Sequence, residues 1–164
     1  MDILKRFTRV FFITLICVAM DQGTKLLASL HLPKEKMISY LGGIFRIGYT
    51  ENIGAFLGLG NQLSAESRFW LLVVIVGLFL LALLAYLIFN SKQEPLSLVA
   101  LSLVFAGGLS NFYDRITNNG AVIDFLNLGV GSIRTGVFNI ADIAIMLGAA
   151  LLIFTVYQEE KLNR

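Results

Sequence analysis

Asp114, Asp124 and Asp142, three of the chain's five aspartates, fall within one polar, glycine-bearing stretch, AGGLSNFYDRITNNGAVIDFLNLGVGSIRTGVFNIAD (106–142), between two apolar runs. Two carboxylates brought together at a semi-dry interface do not both ionise easily, so one holds a proton while the other stays anionic. The charged member can activate water, and the neutral member can protonate an amide carbonyl or a leaving nitrogen. That is amide hydrolysis without metal, serine or histidine. It suits a chain with one histidine, His31, one cysteine, Cys17, inside an apolar run, and no metal-ligand spacing. A histidine metal centre, a Ser-His-Asp triad, a disulfide and a cysteine-rich metal site are set aside, and no metal or cofactor is expected.

The elements that must position these groups follow from composition. Of 164 residues, 57% are hydrophobic and only 15% charged, which marks an integral membrane protein. A net charge of +2, dispersed and without basic residues interleaved with aromatics, excludes a nucleic-acid partner. Phe69 to Asn90 carries no charge and reads as a span, with Trp70 and Tyr86 near the interfaces. Pro95 suits the first turn of the next helix. The basic N-terminus and the run from Val10 to Met20 could pass for a signal peptide, but the apolar pattern resumes after Asp21 and Lys25 as LLASLHL. The expectation is an all-α membrane protein in a single integral domain over 1–164. It has four transmembrane helices (about 8–30, 69–90, 96–113 and 139–157) and outer loops at 31–68 and 114–138. The glycine-punctuated β-like segments of those two loops predict a small extramembrane β-sheet. Basic residues are denser in the short segments on the side of the termini, so the termini are placed in the cytoplasm and the aspartate-bearing loops outside.

Each acidic residue also has a structural reading. Asp21 and Lys25, four apart on one helix face, can form a self-neutralising pair that lets the first span insert. Asp114 sits at a helix C-terminus, where the dipole disfavours an anion, so it is no cap; a local ion pair with Arg115 would explain it. Asp142 can serve as the N3 residue of a helix whose N-cap is Asn139. Asp124, in the alternating segment AVIDFLNL, points along an apolar face and has no evident structural role. A charged side chain in the bilayer core costs roughly 2.5–3.5 kcal/mol on insertion scales, so clustered ionisable groups beside membrane spans are functional-site candidates. Physics alone leaves both Asp114 and Asp124 in contention as the partner of Asp142.

Five motifs in order, DQGTK, ENIGAF, GGLSNFYDR, GAVIDF and FNIAD, resemble those of the lipoprotein signal peptidases, the signal peptidase II family of membrane aspartic proteases. The resemblance implies Asp124 and Asp142 as the catalytic dyad. It implies Asn52, Asn111, Asp114, Arg115 and Asn139 as the polar shell that binds substrate backbone and orients the dyad, with Asp21, paired to Lys25, structural. The implied substrate is a prolipoprotein, cut before a diacylglyceryl-modified cysteine. The implied setting is the bacterial cytoplasmic (inner) membrane among its lipids, with the active site near the outer face, and we expect a monomer. Departures are Phe56 where a small alanine is common, one extra residue between Arg115 and Gly120, and Ile143 where a small or hydroxyl residue is frequent. These bear on substrate range and efficiency more than on reaction class.

Two other functions fit parts of the pattern. A non-catalytic ion or proton carrier would use Asp21, Asp114 and Asp142 as a relay, but it would want polar residues along several spans, and the second span has none. A precursor-binding pseudoenzyme would bind without cutting, which the presence of both candidate carboxylates argues against.

Overall fold

The computed structural model describes residues 2–34, 36–55 and 59–162. Four long helical rods carry the chain: α1 (Ile3–His31), α2 (Ala65–Phe69) continuing through a π-helical turn (Trp70–Ile75) into α3 (Val76–Phe89), α4 (Pro95–Thr117) and α5 (Ile140–Leu162). Three of them, Ala65–Phe89, Pro95–Thr117 and Ile140–Lys161, are long and apolar enough to cross a membrane. α1 carries Asp21 and Lys25 in its interior and runs on without a break to His31, as one helix rather than a short leader. Ser64 caps α2 by accepting from Ser67 N at 3.1 Å, and Pro95 occupies the first turn of α4, where its missing N–H has no partner to lose.

All four rods outrun the expected spans. The consequential case is α4, which reaches Thr117 and places Asp114 and Arg115 inside the helix, where an outer loop beginning at 114 was expected. The reason is that a polar face does not stop a helix whose side chains find partners, and Asn118 N closes the last turn on Asp114 O at 2.7 Å.

The two outer segments build one antiparallel sheet in the order β1 (Ile38–Tyr40), β2 (Phe45–Asn52), β3 (Val122–Val130), β4 (Ile133–Arg134). β2 and β3 pair from Phe45↔Leu128 to Asn52↔Val122, with a shift in register between Ile47 and Thr50. Such a bulge bends the strand and re-aims its later side chains. Here it precedes Asn52.

An apolar core of Val10 on α1, Leu80, Leu83 and Leu87 on α3, and Leu98 and Phe105 on α4 joins three rods. At one end the buried Arg6 donates to Leu87 O at 2.9 Å and Gln93 Oε1 at 3.2 Å, satisfying a carbonyl left open at the end of α3. α4 and α5 meet closely through glycines. A Cβ on Gly107 would lie 2.4 Å from Ala141 O, and one on Gly148 would lie 2.5 Å from Ala100 O. Small residues let helix backbones approach where no hydrophobic drive acts between helices in lipid. The contact at Ala141 fixes the first turn of α5 against α4, and that turn carries Asp142.

Gly107→Ala should therefore separate the two helices and lower stability by about 1–3 kcal/mol, the usual cost of overpacking. Gly23→Ala, with nothing within 4 Å of the added carbon, should be neutral or slightly stabilising. Thermal denaturation of both variants in detergent checks this; equal effects at the two positions would contradict it.

Candidate active site

The site forms where the C-terminal end of α4, the start of α5, the Asp21–Lys25 stretch of α1 and the ends of β2 and β3 converge. Asn139 and Asp142 shape the entry to α5. Asp142 N donates to Asn139 Oδ1 at 2.9 Å, and Asn139 N donates to Asp142 Oδ2 at 3.2 Å. This reciprocal cap satisfies two backbone donors that an α-helix start leaves open. The capping role expected for Asp142 is thus present, and it uses one carboxylate oxygen. The other, Oδ1, accepts from Asn111 Nδ2 at 3.0 Å.

Asp124, on β3, is 2% exposed and lies beside the same asparagine. Its Oδ1 accepts from Asn139 Nδ2 at 2.7 Å and its Oδ2 from Asn52 Nδ2 at 2.9 Å. Asn52 is held by its own turn: its Oδ1 accepts from Gly54 N at 3.0 Å, and its Nδ2 also donates to Ala55 O at 3.1 Å. Asn139 therefore touches both carboxylates. Burial pushes the Asp124 carboxyl up from its ordinary 3.8 to about 7; the Asn52 amide opposes this and the neighbouring Asp142 adds to it.

A second cluster surrounds Lys25, which is 1% exposed. Its ammonium lies 2.6 Å from Asp21 Oδ2 and 2.8 Å from Asp114 Oδ2, and donates to Asn111 Oδ1 at 2.9 Å. The Asp21–Lys25 pair is present as expected but is not self-contained. Asp21 also accepts from Ser110 Oγ at 2.7 Å and from Ala141 N at 2.8 Å, so a side chain of α1 caps the first turn of α5.

The local Asp114–Arg115 ion pair is corrected. Adjacent residues on a helix point in different directions. Asp114 turns inward to Lys25, accepts from Gln22 Nε2 at 2.7 Å and holds the start of β3 through Ile123 N at 3.1 Å. Arg115 turns the other way and donates to Gly54 O at 2.8 Å, tethering the outer loop that follows Asn52. It also lines a cavity of about 540 Å³ with Ile53, Leu72, Val73, Ile116 and Asn119. The π-helical turn supplies two of the cavity's lining residues, Leu72 and Val73, and such turns recur in functional sites.

The structure thus brings Asn52, Asn111, Asp124, Asn139 and Asp142 into one network, ties Asp21, Lys25 and Asp114 to it, and sets Arg115 at the cavity wall. Gln22 and Ser110 were missed by sequence reasoning. The signal was available: Gln22 follows Asp21 and Ser110 precedes Asn111, each a polar residue beside another polar one within a largely apolar helix, where a buried polar group needs a partner. Phe56 lies outside the described residues. Gly120 begins the segment into β3, with its N–H donating to Arg115 O at 2.9 Å, and Ile143 follows Asp142 within α5.

Apolar, membrane-length helices around a buried carboxylate network define a multi-pass membrane protein whose polar site is suited to hydrolysis. Comparison with known proteins gives the particular family. A family model described as signal peptidase (SPase) II matches residues 13–158. The lipoprotein signal peptidase of Nitratidesulfovibrio vulgaris (strain DP4) is 36% identical over 149 residues, 91% of this chain and 89% of that protein. That of Chlorobium phaeobacteroides (strain BS1) is 36% identical over 152 residues, 87% of this chain and 92% of that protein. A solved structure described as a bacterial membrane enzyme superposes with a TM-score of 0.81 at 28% identity, covering 96% of this chain and 92% of that one. The chain belongs to the signal peptidase II family, and is a peptidase by that membership.

The Asp124 environment makes a prediction about stability. Its folded carboxyl titrates near 7 and its ordinary value is 3.8, so between these values the folded state holds a proton that the unfolded state has lost. That contribution is full below about 3.8 and declines as pH rises toward about 7. Asp124→Asn should gain melting temperature relative to wild type across that rise, then track it at a constant offset; parallel curves throughout would contradict the assignment.

Proposed function

We propose that the chain is an aspartic endopeptidase that removes the signal peptide from diacylglyceryl-modified prolipoproteins, cleaving before the lipidated cysteine, with Asp124 and Asp142 as the catalytic dyad. The observation that carries the reading is the sharing of Asn139 by two nearly buried carboxylates, neither of which has a cation in direct contact among the described residues. Asn52, Asn111, Asp114, Arg115 and Asn139 support the dyad or bind substrate backbone, and Asp21 with Lys25 is structural.

The environments support a division of roles. Asp142, at the N-terminus of α5, faces a backbone amide and the positive end of the helix, which favour an anion. Asp124, on a strand, has amide side chains alone and keeps its proton up to about 7. Asp142 takes a proton from water as the hydroxide attacks the scissile carbonyl carbon, while Asp124 donates its proton to the carbonyl oxygen. As the tetrahedral intermediate collapses, the proton on Asp142 passes to the leaving nitrogen and the C–N bond breaks. The new carboxyl group forms as an oxygen proton returns to Asp124, which restores the starting state.

The setting follows from the same reading. α1 would be the fourth span of one integral domain in the cytoplasmic membrane, with cytoplasmic termini and the sheet at the outer face, where a lipid-anchored substrate presents its cleavage site. The apolar cavity beside Arg115 would receive substrate, and the protein would act as a monomer. A carrier has less support, because α3 offers no charged residue to a path across the membrane.

Cleavage of a diacylglyceryl-modified prolipoprotein by the purified protein in detergent tests this. Asp124→Asn and Asp142→Asn should each slow cleavage by at least about a hundredfold, whereas Asp114→Asn should retain measurable activity. Chelators should have no effect, and the wild-type rate should fall as pH rises through about 7, where Asp124 loses its proton. A wild-type rate in either dyad variant would refute the mechanism. A folded protein that binds precursor without cutting would point to the pseudoenzyme.

A further inference from the structure

We infer that Lys25 is a positioning residue for the reaction: its ammonium sets which end of the Asn111 amide faces Asp142. This rests on the peptidase reading above and assigns Lys25 a task beyond pairing with Asp21.

The argument is one of donor and acceptor inventory. An ammonium has three donors and no acceptor. All three are engaged, with Asp21 Oδ2 at 2.6 Å, Asp114 Oδ2 at 2.8 Å and Asn111 Oδ1 at 2.9 Å. An asparagine amide has one acceptor end and one donor end, nearly identical in shape, and its orientation is decided by its partners. Lys25 accepts nothing, so the end of Asn111 that faces it must be Oδ1. The donor end, Nδ2, is then left to point at Asp142 Oδ1, 3.0 Å away.

The same logic runs one step further. With Oδ1 turned toward Lys25, Asn111 also accepts from Asn139 Nδ2 at 3.1 Å. That orientation of Asn139 is the one that donates to Asp124 at 2.7 Å while its Oδ1 accepts from Asp142 N at 2.9 Å. One buried cation, without touching either dyad carboxylate, thus polarises an ordered chain of amides ending on both. Without it, Asn111 Oδ1 keeps only the Asn139 donor, and the hold on the amide orientation against presenting its oxygen to Asp142 weakens. An oxygen there would repel a carboxylate and abolish the donor that steadies the water-activating anion. The groups that face Asp142 are Asn111 on α4, Asp124 on β3 through their shared Asn139, Lys25 and Asp21 on α1, both one residue removed, and the charge of Arg115 on α4 without direct contact.

Because Lys25 acts through Asn111 and contacts no substrate, its loss should lower kcat and leave KM nearly unchanged. The experiment is a double-mutant cycle on prolipoprotein cleavage with Asn111→Ala, Lys25→Met and the double variant. Asn111→Ala leaves Lys25 its two aspartates, so it should fold. It should lose on the order of tenfold or more in kcat, with KM within about twofold. Lys25→Met should show the same split, and the double variant should be no slower than the slower single, because both remove one path. Lys25→Met strands two carboxylates and could fail to fold, so a triple variant, Lys25→Met/Asp21→Asn/Asp114→Asn, removes the charges together at nearly constant shape. Its kcat should remain low in a folded protein. Full multiplicativity of the two single effects would overturn the inference, as would wild-type kcat in folded Lys25→Met or in the triple variant. Failure of the peptidase reading itself would look different: the wild type would not cut, or Asp124→Asn and Asp142→Asn would still do so.

Discussion

Four carboxylates, those of Asp21, Asp114, Asp124 and Asp142, lie buried around one ammonium, that of Lys25. This imbalance is the constraint on which the rest of the structure depends. A charge taken out of water is stable only with an opposite charge or a full complement of hydrogen bonds. Lys25 neutralises Asp21 and Asp114 directly. Asp124 and Asp142 are left with asparagine amides and a helix start, enough to hold two oxygens each but not to make two adjacent anions comfortable. Arg115, the other cation nearby, spends its hydrogen bonds on the carbonyls of Gly54 and Asn111. Burial accordingly pushes the Asp124 carboxyl up to about 7, the property that the proposed mechanism would use.

The architecture can be understood as the means of holding that arrangement among apolar helices. α5 begins where α4 is polar because Gly107 lets Ala141 approach, and Asp21 reaches from α1 to cap the same turn. β3 leaves the end of α4 after a short turn and is pinned to it by Asp114 and Ile123 N. The bulge in β2 precedes Asn52, whose turn and side chain close the Asp124 side. Each of these two carboxylates is thus held near an element's end, Asp142 by the cap of α5 and Asp124 by the amides of Asn52 and Asn139. The second rod contributes little polar chemistry, yet its π-helical turn shapes the cavity beside Arg115.

Much of this was legible in the residues. Apolar runs announced the helices, glycine-punctuated alternation announced the sheet, and Asn139 with Asp142 read as a helix cap because the spacing of such caps is local. Asp124 stood out because an acid on an apolar face needs a reason. What was not legible depended on contacts between distant elements. Asp114 looked like the partner of Arg115 because they are neighbours in sequence, whereas the helix turns them apart and Lys25, on another rod, claims Asp114. α4 continues as a helix beyond the expected span to Thr117 because tertiary partners sustain it where it turns polar. Gln22 and Ser110 were passed over for the same reason, since their importance lies in what faces them.

The most direct measurement of the central claim is an infrared titration of the purified protein that follows the C=O stretch of protonated carboxyl groups. The account predicts a band that fades as pH rises through about 7, is missing in Asp124→Asn and persists in Asp114→Asn. A protein without such a band below neutral pH, or one whose band survives Asp124→Asn and vanishes with Asp114→Asn, would show that the shared proton is not where this structure puts it.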